Sequence, residues 1–134
     1  TYGGHPVACA VALETLKIYE ESHILNHVRT IAPRLQDGLA ALGGHQLVGE
    51  ARGVGLVGAL ELVEDKEAKR SFAAELGVAA RVAKATEDRG VIVRVLGDAI
   101  AFAPPLIIEE AEIDEILTTV GDALDQVAGE LDRI

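Results

Sequence analysis

The spacing of apolar residues along the chain predicts two amphipathic helices. From Ile24 and again from Ile113, apolar residues recur at intervals of three or four, which is the spacing of one helix face. The two apolar stripes consist of Ile24, Val28, Ile31, Leu35, Leu39 and Leu42, and of Ile113, Leu117, Val120, Leu124, Val127, Leu131 and Ile134. Pro33 falls within the first stripe, so we expect a kink or a restart of that helix there.

The stretch that follows Pro6 predicts a helix of a different kind. Pro6 suits the first position of a helix, and residues 7–13 are apolar on nearly every side. A helix that is apolar all round is typical of a buried position. We therefore expect this helix to be buried as far as Leu13, with Cys9 as a thiol inside the core. From Glu14 onward the pattern becomes amphipathic.

The middle of the chain predicts one strand and one helix. Residues Leu47 to Val63 are mostly apolar and rich in glycine, so we expect a single central strand that is covered on both faces. Its glycines indicate bulges or the close approach of another segment. The Gly53-x-Gly55 pair leads into a strand, which argues against a phosphate loop. A helix from Phe72 to Arg89 follows, with Gly90 as its cap.

Two short strands joined by a Gly97-Asp98 turn are predicted between Val91 and Phe102. Val, Ile and Phe dominate both runs, and a Gly/Asp pair between them indicates a hairpin. This turn would place Arg94 opposite Ala101, among apolar neighbours. Judged by residue type, Arg94 has two interpretations: an edge-strand arginine that reaches water, or a carboxylate-binding arginine beside a substrate pocket.

The predicted order of elements is helix, helix, strand, helix, strand, strand, helix. Few strands, mostly antiparallel, with helices on one face make a two-layer α+β domain, and 134 residues suffice for one core. A net charge of −10 argues against nucleic acid as a partner. No apolar run approaches the ~20 residues of a membrane-spanning helix. A single cysteine fits a reducing compartment, so we expect a cytoplasmic protein.

Two clusters of polar residues have simple structural interpretations. His23 and His27 are spaced to share a metal, but no third ligand is close in sequence, so surface imidazoles are favoured. The acidic residues between Glu109 and Glu115 crowd the start of the last helix, where negative charge is stabilised by the helix dipole. Neither cluster predicts a metal site or acid–base chemistry.

Three ordered segments resemble the C-terminal third of class III pyridoxal-phosphate-dependent aminotransferases, the ω-aminotransferases. They are residues 1–10 (TYGGHPVACA), residues 48–56 (VGEARGVGL) and residues 93–108, which include the Arg94 hairpin and Pro104-Pro105. The hairpin is most similar to the ω-amino acid–pyruvate branch. The Thr1-Tyr2-Gly3-Gly4 segment is equally typical of the ornithine and acetylornithine branch, so the substrate stays open.

The resemblance implies a fold, a cofactor and roles for two residues. The chain would comprise an interface turn and linker helix (residues 1–20) and the small C-terminal domain of a fold-type I enzyme (residues 21–134). The enzyme would be a homodimer that uses pyridoxal 5'-phosphate. Thr1 matches the threonine that reaches the cofactor phosphate of the neighbouring subunit. Arg94 matches the mobile arginine that binds the substrate α-carboxylate, so this interpretation of Arg94 now leads.

The resemblance also implies that the catalytic lysine is absent. None of the lysines (Lys17, Lys66, Lys69 and Lys84) matches the family's Schiff-base lysine, which precedes Thr1. The chain lacks methionine, so we expect part of a longer transaminase, inert alone, whose parent moves an amino group between an amine or ω-amino acid and an oxo acid such as pyruvate. The alternatives are a free-standing α+β module with a small-molecule-binding or regulatory role, and a dimerisation module. Glu109 departs from the Thr or Ser helix cap of the family.

Overall fold

The computed structural model describes residue 1 and residues 3–132, so Tyr2 and Ile134 of the sequence patterns lie outside the described residues. Its helices are α1 (Pro6–Glu21), α2 (Ile24–Leu42), α3 (Val78–Glu87) and α4 (Glu110–Leu131). Its strands are β1 (Val48–Val54), β2 (Val57–Leu62), β3 (Arg94–Leu96) and β4 (Ala99–Phe102). A 3-10 turn spans Ala74–Leu76. No helix among the described residues is long and apolar enough to span a membrane.

The four strands form one sheet in the order β1-β2-β4-β3, and all neighbouring strands are antiparallel. Alternate residues of β2 are buried, and Leu60 and Leu62 pack into a core shared with α2, α3 and α4. Side chains that are fully buried in this core are Leu35, Leu39, Leu60, Leu62, Ile100, Ile113, Leu124, Val48, Val82, Val120 and Val127. The predicted two-layer α+β fold is confirmed.

The predicted single strand from Leu47 to Val63 is wrong, because the chain reverses at Gly55 and Leu56 to form the β1–β2 hairpin. Gly55 has φ +59°, a left-handed conformation that favours glycine. The apolar character of Leu56 hid this turn, since its side chain is only 3% exposed although it lies outside both strands. Coverage of both faces is also wrong for the described chain, since Val57 is 58% exposed.

The glycines of this hairpin do mark bulges and close approaches, as the sequence predicted. The register shifts between Val48 and Glu50, which places an irregularity at Gly49. A Cβ atom at Gly53 would lie 2.6 Å from the Val57 carbonyl oxygen, and one at Gly58 would collide with the Leu39 side chain. Gly53 therefore requires a residue without a side chain, because the clashing atom belongs to the backbone, whereas a side chain at Gly58 would displace the Leu39 side chain.

One helix prediction needs correction, one loses one of its two alternatives, and one helix start is confirmed. α2 runs through Pro33 as one helix, so there is no restart. The helix predicted from Phe72 begins at Val78 instead, because Gly77 adopts φ +54° after the 3-10 turn. α4 follows Glu109, whose backbone N–H donates to the Glu112 carboxylate over 2.8 Å. This bond satisfies an N-terminal donor, so the helix start does not depend on a Thr or Ser cap.

The helix α1 buries none of its residues in the described chain, so the burial predicted from its composition does not occur within this chain. Val7 and Leu13 are 65% and 69% exposed, and Cys9 is exposed and not a core thiol. The sequence correctly indicated that the first half of α1 is apolar. Burial failed because it requires a second surface, and no described element packs over the N-terminal half of this helix.

We expect the 134-residue chain to self-associate through α1. Exposed apolar side chains on one helix favour association because contact removes their surface from water. Leu13→Gln should shift the sedimentation profile towards the monomer, whereas Thr15→Gln on the same exposed helix should leave it unchanged. A wild-type chain that stays monomeric with α1 ordered would contradict this expectation.

An ion pair ties α2 to α4 on the surface. The Arg34 guanidinium donates from Nε and Nη2 to the two carboxylate oxygens of Asp114 over 2.6 and 2.5 Å. The hydrogen bond from Arg34, together with its positive charge, holds the pKa of Asp114 below its usual range. In the unfolded chain this carboxyl returns to its ordinary pKa of about 3.9.

The lowered pKa of Asp114 predicts a pH-dependent contribution to stability. The unfolded state binds the proton more readily, so the contribution is fully present above about pH 4 and is lost as the pH falls through the folded-state pKa. The denaturation midpoint of Asp114→Asn should therefore lie below wild type at pH 7, and the difference should shrink as the pH falls below about 4. The control is Asp122→Asn on the same helix, which removes a carboxylate that makes no ion pair with a described residue and should leave the denaturation midpoint close to wild type at pH 7. Parallel pH curves for wild type and Asp114→Asn would contradict the prediction.

Candidate functional site

Arg94 lies on the edge strand β3, directly opposite Ala101 as the sequence predicted. The turn that follows β3 consists of Gly97 and Asp98, and Gly97 has φ +62°. The Arg94 side chain is exposed and makes neither an ion pair nor a hydrogen bond with any described residue. Arg34, by contrast, is paired with Asp114. Arg94 is thus a cation available to a ligand.

A cleft of about 1150 Å³ opens beside Arg94. Its walls come from residues 90–95, residues 101–105, the loop at 107–109 and the first turns of α4. The apolar side chains that line it include Ile92 and Ile107, which are 86% and 67% exposed. Large apolar side chains open to solvent beside an unpaired cation are suited to a ligand with one charged group and an apolar remainder.

The charged side chains of the cleft are few. Besides Arg94, the described residues that line it contribute only Glu109, Glu112 and Glu115 as charged groups. Sequence reasoning interpreted these glutamates as a solvated helix start and did not place them near Arg94. The sequence carries no signal for that placement, because β3 and α4 are separated along the chain by β4 and a loop.

The structure does not bring Thr1 into this cleft. Thr1 is exposed at the start of the described chain and is not among the residues that line the space around Arg94. The proposed roles of Thr1 and Arg94 therefore belong to two separate places on this chain.

No lysine lines the cleft among the described residues. Lys17 is close to Glu14 and Glu21 on α1, and Lys84 pairs with Asp88 over 2.5 Å on α3. Lys66 donates to the Gly43 carbonyl oxygen over 3.0 Å. The residues present at Arg94 therefore do not supply the amine that would hold pyridoxal phosphate.

The histidines do not form a metal site within the described residues. His23 is exposed in a left-handed conformation before α2. His27 lies 2.9 Å from the Ile108 carbonyl oxygen through Nε2, which ties α2 to the loop before α4. The prediction of surface imidazoles therefore holds for His23, while His27 is half-buried and structural.

A comparison with known protein families shows which family this chain belongs to. The sequence profile of the aminotransferase class-III family matches residues 1–124 of this chain. The chain belongs to this family. The resemblance inferred from the three sequence segments is thereby confirmed.

Individual class-III relatives are similar over nearly the whole chain. A probable gamma-aminobutyrate transaminase 3, mitochondrial, of Oryza sativa subsp. indica is 49% identical over 124 residues, which are 92% of this chain and 24% of that protein. A gamma aminobutyrate transaminase 3, chloroplastic, of Solanum lycopersicum is 42% identical over all 134 residues, or 26% of its length. The chain thus spans about a quarter of these relatives.

Solved structures of transaminases share this fold. The crystal structure of an omega-transferase from Vibrio fluvialis JS17 superposes with a TM-score of 0.94 at 37% identity, covering 100% of this chain and 32% of that one. A thermostable omega transaminase variant from Pseudomonas jessenii superposes with a TM-score of 0.86 at 44% identity, covering 92% and 28%. The α+β arrangement is therefore that of one part of a transaminase.

Proposed function

We propose that this chain is the C-terminal part of a pyridoxal-phosphate-dependent aminotransferase. The whole enzyme would move an amino group between an amine or ω-amino acid and an oxo acid such as pyruvate. The observation that carries the proposal is Arg94, an unpaired cation in a partly apolar cleft of a class-III aminotransferase chain.

Arg94 would bind the carboxylate of the oxo acid. The planar guanidinium presents two parallel N–H groups to the two carboxylate oxygens, which fixes the orientation of the ligand as well as its position. The apolar side chains of Ile92 and Ile107 would contact the apolar remainder of the ligand. For an amine without a carboxylate, an exposed arginine on a three-residue edge strand can turn towards solvent.

The cofactor would be pyridoxal 5'-phosphate, which when bound would supply the carrier for the amino group. In a homodimer the Thr1 hydroxyl would donate to the cofactor phosphate of the partner subunit. The amine that holds the cofactor would come from residues other than the lysines of this chain. We also propose a cytoplasmic location, supported by the single cysteine.

The direct test measures amino transfer by the whole enzyme that contains this chain. With pyridoxal phosphate, an ω-amino acid and pyruvate, we expect alanine to form. The 134-residue chain should form none and should show no lysine-dependent cofactor absorbance after gel filtration. Lack of amino transfer from any of a panel of amines to any of a panel of oxo acids would contradict the proposal, and so would a cofactor band on the chain that disappears when one of its lysines is replaced.

A further inference from the structure

The cleft beside Arg94 has a marked imbalance of charge. Its described lining contains one cation, three carboxylates (Glu109, Glu112 and Glu115) and otherwise apolar side chains or glycine. No other lining side chain can donate a hydrogen bond. A ligand with one carboxylate can pair it with Arg94. A second carboxylate on the same ligand would find no cation, and it would face the glutamates.

The three carboxylates are not equivalent. Glu109 and Glu112 lie at the start of α4, where the exposed N–H groups of the first turn stabilise negative charge, and the Glu112 carboxylate accepts from the Glu109 N–H over 2.8 Å. Glu115 lies in the second turn, beyond the reach of that stabilisation. It makes neither an ion pair nor a hydrogen bond with any described residue. Its charge is therefore the least compensated in the cleft.

We propose that Glu115 is a specificity-determining residue that disfavours ligands with two carboxylates. This inference rests on the carboxylate-binding role of Arg94. The first carboxylate and Arg94 form a pair without net charge, so that pair interacts weakly with Glu115. A second carboxylate keeps its charge and is repelled. The cleft would thus select carboxylic acids whose other end is apolar or cationic.

The expected size of this selection follows from charges that interact across a partly hydrated cleft. Two like charges separated by about 8 Å, in a medium between water and protein interior, change a binding ratio by about three- to tenfold. Salt screens such an interaction, because the Debye length is about 8 Å at physiological ionic strength and about 3 Å at 1 M. The discrimination should therefore weaken as salt is added.

The test uses the isotope-labelled 134-residue chain and two acids of equal carbon number, butyrate and succinate. Amide NMR shifts of the cleft residues report the dissociation constant of each acid at low salt. In Glu115→Gln the ratio of the succinate constant to the butyrate constant should fall about three- to tenfold, and the difference from wild type should shrink at about 1 M salt. The control is Glu75→Gln, an equal change of charge at an exposed glutamate outside the cleft, which should not move the ratio.

Further variants separate this inference from the proposed function. Arg94→Ala should abolish binding of both acids, and Glu115→Lys should lower the ratio below that of Glu115→Gln. If neither acid binds wild type, or if Arg94→Ala binds both unchanged, the carboxylate site itself is wrong and the inference falls with it. If butyrate binds through Arg94 but Glu115→Gln leaves the ratio unchanged, only the inference is overturned. If Glu115→Gln increases the affinity for both acids equally, Glu115 acts on Arg94 and not on the second carboxylate, and the inference is likewise overturned.

Discussion

Arg94→Ala in the whole enzyme should lower kcat/KM for the oxo acid by about 30- to 1,000-fold. The loss corresponds to about 2–4 kcal/mol, the expected size of a charge-assisted contact that joins two donors to a carboxylate. The cleft offers the carboxylate no replacement cation, since the other charged side chains of its described lining are glutamates. The measurement is the half-reaction with pyruvate or alanine under single-turnover conditions.

The second half-reaction provides the internal comparison. An amine without a carboxylate does not use the guanidinium, so Arg94→Ala should largely spare its rate. Arg94→Lys should restore only part of the oxo acid reaction, because an ammonium group cannot present the same planar pair of donors. Arg29→Ala on α2 removes another exposed arginine that pairs with no described residue and lies outside the cleft. That variant should leave both half-reactions unchanged.

Three outcomes distinguish the possible roles of Arg94. A selective loss with carboxylate substrates supports recognition of the carboxylate. Equal losses for both substrates would assign Arg94 to the folding of the β3–β4 hairpin. Unchanged rates for both would return Arg94 to the other interpretation that its residue type allows, a strand-edge arginine that reaches water.

The parts of the fold that were predictable from sequence depend on local signals. The β3–β4 hairpin is specified within a few residues, because Gly97 adopts the left-handed turn conformation and β-branched residues flank it. Its register then places Arg94 opposite Ala101 without further information. The stripes of α2 and α4 were equally readable, since burial of one helix face imposes a repeat of three and four.

The parts that failed depend on contacts between distant segments. Residues 53–60 carry no polar side chain, so no polar residue marks the turn at Gly55 and Leu56, and Leu56 is buried although it lies outside both strands. For α1, composition indicated burial, but the described chain contains no surface that covers the helix. The cleft likewise arises where β3 meets the start of α4, and sequence spacing does not reveal that Glu115 and Arg94 share it.

The stability of the core that supports this cleft should be most sensitive to substitutions at the centre of the sheet. Leu60 lies on β2 between β1 and β4, and its side chain has no exposed surface. Leu60→Ala removes buried methyl groups and leaves a cavity that the neighbouring strands cannot easily close. We expect the free energy of unfolding of the 134-residue chain to fall by about 3–5 kcal/mol, measured by denaturant titration.

The matched control is the same substitution on the surface. Leu13 on α1 is 69% exposed, so Leu13→Ala removes little buried area and should change the free energy of unfolding by less than about 0.5 kcal/mol. Both variants are compared at concentrations where the chain is monomeric, because association through α1 would add stability that depends on concentration. If Leu13→Ala costs as much as Leu60→Ala under those conditions, α1 is packed against the domain and the exposed arrangement of that helix is wrong. If both costs are small, the helices do not close a core over the sheet, and Arg94 and Glu115 are not held in one cleft.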